Sequence, residues 1–406
     1  MTRTDAILEA AKTHDCFYLY DEAGILAQCR ALREAFPETE LLYSIKANPH
    51  PQVLRAIFSQ GFGADAASMG EVTIARQAGL AAENIYYSAP GKTTRDLKAA
   101  IGSAHLIADS LHEIRRIEEI AAENGQPVEI GLRINPDFSF TGETGLASKF
   151  GVDEEQAISF LRQFHSPFVS VTGFHVHLRS QERSAAVLAR YHKRLLTLAA
   201  RFITEAWVNL SYVNLGSGIG ISYAKEDEPV DLAFLGAETG KAIRAFHREL
   251  PDVRVLLETG RFLTGANGVY VTTVLDRKIS HGKTFVILKN TLNGFLRPSL
   301  ACLLERTAKG EAMSAEPLYT GKNAFPISVP GKCAEAETET VTLAGNLCTA
   351  ADVIAENIEL PKLSCGDTIA ISNAGAYAAS LSPMQFSHQE QPTELFLRAD
   401  GTLAET

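Results

Sequence analysis

The sequence predicts an α/β protein, an eight-stranded (β/α)8 barrel followed by a mainly β domain. Two observations predict it. Short β-rich runs alternate with segments of helical periodicity over about 230 residues, as in a closed parallel barrel. After residue 265 the alternation gives way to strand-like runs separated by turns. A doubly wound open sheet is the alternative, but it uses fewer strands.

The barrel strands are expected near 40–46 (ELLYSIK), 62–66, 84–88 (NIYYS), 104–108, 128–134 (VEIGLRI), 168–177 (FVSVTGFHVH), 207–215 and 253–258 (RVLLE). Helical periodicity fills the gaps, as in Gly70–Ala78, Ser110–Asn124, Glu154–Phe164 and Ala185–Phe202. Later strand-like runs are Val269–Leu275, Thr284–Leu288, Glu339–Leu343 and Asp367–Ser372. The barrel is expected over residues 26–265 and the β domain over 266–406. The strand-like run Cys16–Tyr20, within residues 1–25, is expected to join the β domain.

Composition narrows the function classes. The 406 residues are 46% hydrophobic and 21% charged, which excludes a mainly disordered chain. The net charge of −10 offers no basic stripe for nucleic acid. No uncharged apolar run approaches the ~18 residues of a membrane helix. The N-terminus lacks a basic region followed by an apolar run. The expectation is a soluble cytoplasmic protein with neither nucleic-acid nor membrane partners. Six scattered cysteines show no metal-ligand spacing and no disulfide framework, so no metal is expected.

Chemistry in such a barrel sits at the carboxyl ends of the strands. Strand one ends in Lys46, an amine that a closed polar mouth could tune for imine chemistry or that could snorkel to solvent. Strand six ends in His175-Val176-His177, where alternation turns one imidazole to the mouth. A lone histidine there is also commonly structural. Strand seven precedes Gly216-Ser217-Gly218-Ile219-Gly220, which could cradle a phosphate or form an ordinary turn. Strand eight ends in Glu258-Thr259-Gly260-Arg261, a carboxylate and an arginine able to serve a cationic ring nitrogen and a phosphate, or to form a surface ion pair. An amine, an imidazole, a phosphate cradle and a carboxylate together match the needs of pyridoxal 5′-phosphate (PLP).

The ordered motifs strengthen that reading: YSIKANP (43–49), GADAASMGE (63–71), SAPGKT (88–93), LRINP (132–136), SKFG (148–151), GFHVHLRSQ (173–181), NLGSGIG (214–220), ETGR (258–261), LRP (296–298), GNLCTAAD (345–352) and NAGAY (373–377). From about Phe17 to Phe396 the chain resembles the fold type III, alanine-racemase-like decarboxylases, the group of diaminopimelate and ornithine decarboxylases. The resemblance implies an imine between Lys46 and PLP, with His175 stacked on the ring and Glu258 paired with the ring nitrogen. It implies cofactor contacts from Asp65, Gly216, Gly218, Arg261 and Tyr377, with Ser180 a weaker candidate. Cys348 would return a proton to the substrate carbon from a loop of the second subunit of a homodimer. Asp352 would lie beside it, and Arg297 would contact substrate. Racemases of this fold place an arginine where Glu258 stands, so the glutamate favours decarboxylation.

Three departures matter. Thr349 follows Cys348 where the family carries an acid for a distal ammonium. Ser299, Leu300 and Ala301 follow Pro298 where the family closely places a tyrosine. Arg179 replaces a glycine and adds positive charge near the mouth. The chain resembles most closely decarboxylases of carboxylate siderophore pathways, such as the citryl-diaminopropionate enzyme, and enzymes acting on carrier-bound aminoacyl groups. The expected activity is PLP-dependent decarboxylation of the amino-acid end of a larger, carboxylate-bearing small molecule, with Arg297, Thr349, Asp352 and Arg179 at the substrate. Decarboxylation of diaminopimelate is the alternative. A non-catalytic regulatory relative is a third reading, opposed by Lys46, Glu258 and Cys348.

Overall fold

The computed structural model describes residues 1–216, 218–307, 318–319, 321, 323–333 and 335–405. The chain forms two compact units. One comprises Gln28–Gly220 with Pro229–Gly260, and the other Met1–Ala27, Ile221–Glu228 and Arg261–Thr406. The segment Ile221–Glu228 thus groups with the β-rich unit, although it falls inside the range expected for the barrel.

In chain order the first elements are α1 (Arg3–Ala10), β1 (Cys16–Asp21), α2 (Glu22–Ala35), β2 (Glu40–Ser44), α3 (Pro51–Phe58), β3 (Gly63–Ala66), α4 (Met69–Gln77), β4 (Ile85–Ser88), α5 (Thr94–Ala100), β5 (His105–Ala108), α6 (Leu111–Asn124) and β6 (Val128–Asn135). They continue through β7 (Val152–Asp153), α7 (Glu154–Gln163), β8 (Val169–His175), α8 (Ala185–Ala206), β9 (Tyr212–Asn214), α9 (Leu232–His247) and β10 (Arg254–Thr259).

Strands β2, β3, β4, β5, β6, β8, β9 and β10 pair in that order, all parallel, and β10 returns to β2. This is the closed eight-stranded barrel expected from the sequence; β7 adds to β6 outside the ring. Strands such as Ile85–Ser88 are buried at every position, so they read as continuous apolar runs rather than alternating ones. Each helix needs only one apolar stripe: α6 buries Ile114, Ile117, Ile120 and Ala121 and stops at Gly125 with φ 65°. Strand β9 is shorter than the run 207–215, because Trp207 still caps α8 in a left-handed conformation.

Leu42, Tyr86, Ile107, Tyr212 and Leu256 form a buried cluster contributed by five barrel strands. The Tyr212 ring lies across β8 so closely that a Cβ on Gly173 would sit 2.1 Å from its Cζ. A side chain at 173 therefore cannot coexist with that ring, and the strand needs glycine there.

The second unit continues with α10 (Arg261–Thr264), β11 (Gly268–Ser280), β12 (Lys283–Leu288), α11 (Leu296–Thr307), β13 (Ile327–Ser328), β14 (Thr338–Gly345), β15 (Val353–Pro361), β16 (Thr368–Ile371), β17 (Thr393–Leu397) and β18 (Leu403–Glu405). Its sheet runs β15-β14-β12-β11-β1-β17-β18, with β16 also on β11. Strand β1 pairs antiparallel with β11 and parallel with β17. Helix α1 contributes Ala6, Ile7 and Ala10 to a core with Phe17, Leu19, Val271 and Leu395. On the alternate residues of β1 and β11, the Tyr18 and Tyr270 rings meet at 4.8 Å and donate their hydroxyls to the carbonyls of Gly294 and Asn290. The aromatic layer thereby supports the turn that leads into α11.

Gly173→Ala is expected to lower stability by ~1–3 kcal/mol or more through overpacking. Tyr212→Phe should be near neutral, because its buried hydroxyl has no hydrogen-bond partner among the described residues. Chemical-denaturation midpoints of the two variants check both.

Candidate active site

The 3-10 turn Ile45–Ala47 after β2 carries Lys46, whose Nζ donates to Asp65 Oδ2 at 3.2 Å. Asp65, at the end of β3, is fully buried. Its Oδ1 accepts from Ser88 Oγ, 2.7 Å away at the end of β4. A buried carboxylate persists only with such donors.

A second group stands at the ends of β8, β9 and β10. His175 Nε2 lies 3.0 Å from Glu258 Oε1, and Asn214 Nδ2 donates to the same oxygen at 2.9 Å. Glu258 and His175 are both almost wholly buried. Burial first, then the nearby Arg133 charge, holds the His175 pKa well below its ordinary value, so the ring is neutral. Nε2 carries its proton toward Glu258, and Nδ1 has no partner among the described residues. The sequence placed only one of His175 and His177 toward the mouth. The structure brings both to Glu258, with His177 Nδ1 3.9 Å from Oε2. Positions 175 and 177 are two apart, and residues two apart on an extended chain share a face, so both imidazoles come to the Glu258 side.

The glycine run is tied into the same group. Gly216 N–H donates to Asn214 Oδ1 at 2.9 Å, and its carbonyl accepts from Glu258 N–H at 2.8 Å. Gly216 has φ +65°, and a Cβ there would lie 2.3 Å from the Val176 carbonyl oxygen. Gly218 O accepts from Glu182 N–H at 2.8 Å. Ser217, between them, lies outside the described residues. Ser180 is half-buried in the preceding segment, and the exposed Arg179 reaches Glu182 at 3.9 Å.

Sequence reasoning gave no role to Asn214, Ser88 or Glu71, although each lies within a quoted motif. Glu71 accepts from Ala67 N–H at 2.7 Å, and burial, followed by the Asp65 charge, outweighs the pull of Lys46 and pushes its pKa up to about 7.

The other unit carries the remaining candidates. Arg261 opens α10, donates to Tyr223 Oη and lies with its guanidinium carbon 4.7 Å from the centre of the Tyr377 ring. Arg297, expected at the substrate, is wholly buried, and its guanidinium donates to Tyr223 Oη, the Ala376 carbonyl and the Asn373 carbonyl. Cys348 is exposed and Thr349 half-buried in the loop between β14 and β15. Asp352, also expected at the substrate, is buried and accepts from Thr291 Oγ1, Leu292 N–H at 2.9 Å and Leu347 N–H at 3.0 Å. Its carboxylate is thus committed to shaping the loop. Tyr223 and Thr291 belong to no motif, and their positions become informative only once distant segments meet.

Residues 22–265 match the family model described as pyridoxal-dependent decarboxylase, pyridoxal binding domain. The chain is 32% identical to the L-glutamyl-BtrI acyl-carrier protein decarboxylase of Niallia circulans over 94% of this chain and 88% of that protein. It is 29% identical to the 2-((L-alanin-3-ylcarbamoyl)methyl)-2-hydroxybutanedioate decarboxylase of Staphylococcus aureus, over 95% of each chain. The crystal structure of diaminopimelate decarboxylase from Helicobacter pylori complexed with L-lysine superposes with a TM-score of 0.82 at 27% identity, covering 98% of this chain and 95% of that one. With an eight-stranded barrel whose strand ends gather a lysine, a buried glutamate and a glycine turn, the chain belongs to the pyridoxal-dependent decarboxylases, enzymes that use PLP to remove the carboxyl group of an amino acid.

Proposed function

We propose that this decarboxylase acts on the amino-acid end of a larger, carboxylate-bearing intermediate of the siderophore type, whose far end carries no free ammonium. One observation carries the reading. The loop that bears Cys348 offers no carboxylate to an ammonium: Thr349 has only a hydroxyl, and Asp352 is buried under three donors from its own chain. A site lacking that partner binds a distal cation poorly, because the cation would be left unpaired. The similarity to decarboxylases named for a glutamyl carrier protein and for an alaninylcarbamoyl hydroxybutanedioate supports this reading, since both names describe an amino-acid group on a larger molecule. Decarboxylation of diaminopimelate is the second reading, favoured by the whole-chain likeness to the Helicobacter pylori enzyme. Arg297 favours it less than its motif suggested, because its guanidinium is already engaged inside the β-rich unit.

The barrel residues fit PLP. The left-handed Gly216 turn brings backbone where a side chain would collide, as close approach to a phosphate requires. The neutral His175 ring suits stacking, and Glu258 is fixed by two donors on one oxygen. When bound, PLP supplies an electron sink for the pair left behind by departing CO₂. Lys46 would hold the cofactor at its aldehyde. Glu258 presents negative charge to the ring nitrogen. Arg261 and Tyr377 contribute to phosphate binding. Cys348, exposed at its loop, returns a proton to the α-carbon, and the loop serves the partner's site in a homodimer. These assignments are our reading of the motifs and the geometry together.

Lys46→Ala is expected to abolish the borohydride-trapped link between protein and cofactor, read by mass spectrometry. Trapping at another lysine would remove Lys46 from the role. The substrate reading predicts that kcat/KM for citryl-type or carrier-type aminoacyl conjugates exceeds that for lysine and ornithine. Thr349→Glu should shift the ratio toward the ammonium substrates by roughly tenfold or more, the scale of one charge-assisted hydrogen bond. Preference of the wild type for free diaminopimelate over every conjugate would establish the second reading.

Glu71 gives a prediction in pH. Its pKa rises from 4.5 to about 7 on folding, so between those values the folded protein keeps a proton that the unfolded chain has lost. Stability therefore falls as pH rises across that window, and the loss is complete above it. Glu71→Gln should raise the unfolding midpoint above pH 7 and change it little below pH 4.5, as followed by thermal denaturation.

A further inference from the structure

We propose that Tyr223 is held as a tyrosinate, the internal counter-ion of Arg297, and that its oxygen fixes Arg297 and Arg261 on a single point. The proposal concerns the resting protein and does not depend on the substrate.

It begins from a charge that lacks an opposite. Arg297 is wholly buried, and a guanidinium keeps its proton in a protein. No carboxylate lies within ion-pair distance of it among the described residues. Its Nη2 is spent on the carbonyls of Ala376 at 2.6 Å and Asn373 at 3.4 Å, and Nε has no partner among the described residues. The rings of Phe325 and Phe295 lie 4.9 Å and 5.6 Å from its guanidinium carbon. Ring faces and carbonyls soften a buried cation but do not neutralise it. Among the described residues, the one acidic group in contact is the phenol of Tyr223, whose Oη accepts from Arg297 Nη1 at 3.0 Å.

The same oxygen also accepts from Arg261 Nη1. Two cationic donors thus converge on a hydroxyl that is itself almost wholly buried. The hydroxyl proton has no acceptor among the described residues. A neutral phenol would leave that O–H unsatisfied and face it toward two positive charges. Loss of the proton removes the orphaned donor, satisfies both guanidiniums and supplies Arg297 with its missing charge.

The other groups around Tyr223 do not oppose this. The Tyr319 ring stacks at 4.8 Å and Phe325 meets it edge-on at 5.9 Å. Asp227 accepts from the Tyr223 backbone N–H, and Asn373 Nδ2 donates to its carbonyl. Burial alone raises the phenol, but Arg297 and then Arg261 outweigh it, and the net shift is downward.

The test is carbon-13 NMR of the full-length holoenzyme with tyrosine labelled at Cζ. Of the eleven tyrosines, one resonance should sit at the tyrosinate position at neutral pH and move to the phenol position only on acidification. Tyr223→Phe should delete it, and Arg297→Gln should return it to the phenol position. A wild-type spectrum with every tyrosine at the phenol position in mildly alkaline buffer would overturn the proposal, whether or not the variants fold. An ionised resonance that survives Tyr223→Phe would overturn it too.

Discussion

The contact on which the barrel's chemistry depends is the buried carboxylate of Glu258 against His175 and Asn214. A carboxylate 2% exposed at the end of a strand is tolerable only when donors are already in place. The parallel register supplies them. His175 on β8 stands opposite Asn214 on β9, and Asn214 stands opposite Leu256, two residues before Glu258 on β10. Residues two apart on a strand point to the same face. Asn214 then uses its other end to fix Gly216, so one amide side chain orders both the carboxylate and the glycine turn. Ring closure makes this possible, because it sets three strand ends side by side at one rim.

Buried charges are answered in more than one way. At the barrel rim, cations meet carboxylates: Lys46 meets Asp65, and Lys92 meets Glu113 at 2.6 Å. In the β-rich unit, Arg297 lies in an aromatic and carbonyl setting with a phenol as its one acidic contact among the described residues. Asp352 is the converse, a buried carboxylate answered by a hydroxyl and two backbone N–H groups instead of a cation. Hydrogen bonds directed at an ionised oxygen are strong enough for that service. Here they take two sites on Oδ1 and one on Oδ2.

The barrel was legible in the sequence because its strands are buried on both faces and separated by helices with a single apolar stripe. Lys46, Asp65, His175, Gly216 and Glu258 all sit at or just beyond the carboxyl ends of strands, where chemistry is expected in this architecture. The spacing of His175 and His177 was misjudged, since two residues apart means one side of the chain, and the motifs gave no sign of the setting of Arg297 and Asp352. The partners of Arg297 come from residues 223, 373 and 376, and those of Asp352 from 291, 292 and 347. Apart from Leu347 these partners lie tens of residues away, where local spacing carries no information. Tyr223 was silent for the same reason, since its meaning lies entirely in the two arginines that reach it.

The turn 290–295 shows how a non-polar layer sets the terms for a polar one. Tyr18 and Tyr270 hold the carbonyls of Gly294 and Asn290 from beneath. Above, Thr291 and Leu292 donate to Asp352, and Asn290 N–H donates to Asn346 Oδ1 at 3.1 Å. One short turn therefore fixes the entry to α11, which carries Arg297, and the base of the loop that carries Cys348. The thiol needs no contact of its own to be placed, because the loop's two ends are pinned at Asn346 and Asp352 and only five residues lie between them in a closed hairpin. Thr349 lies within that pinned span, and its Oγ1 accepts from Ala351 N–H at 3.3 Å inside the loop. A frame closed by hydrogen bonds at both ends limits the conformations left to the residues between them.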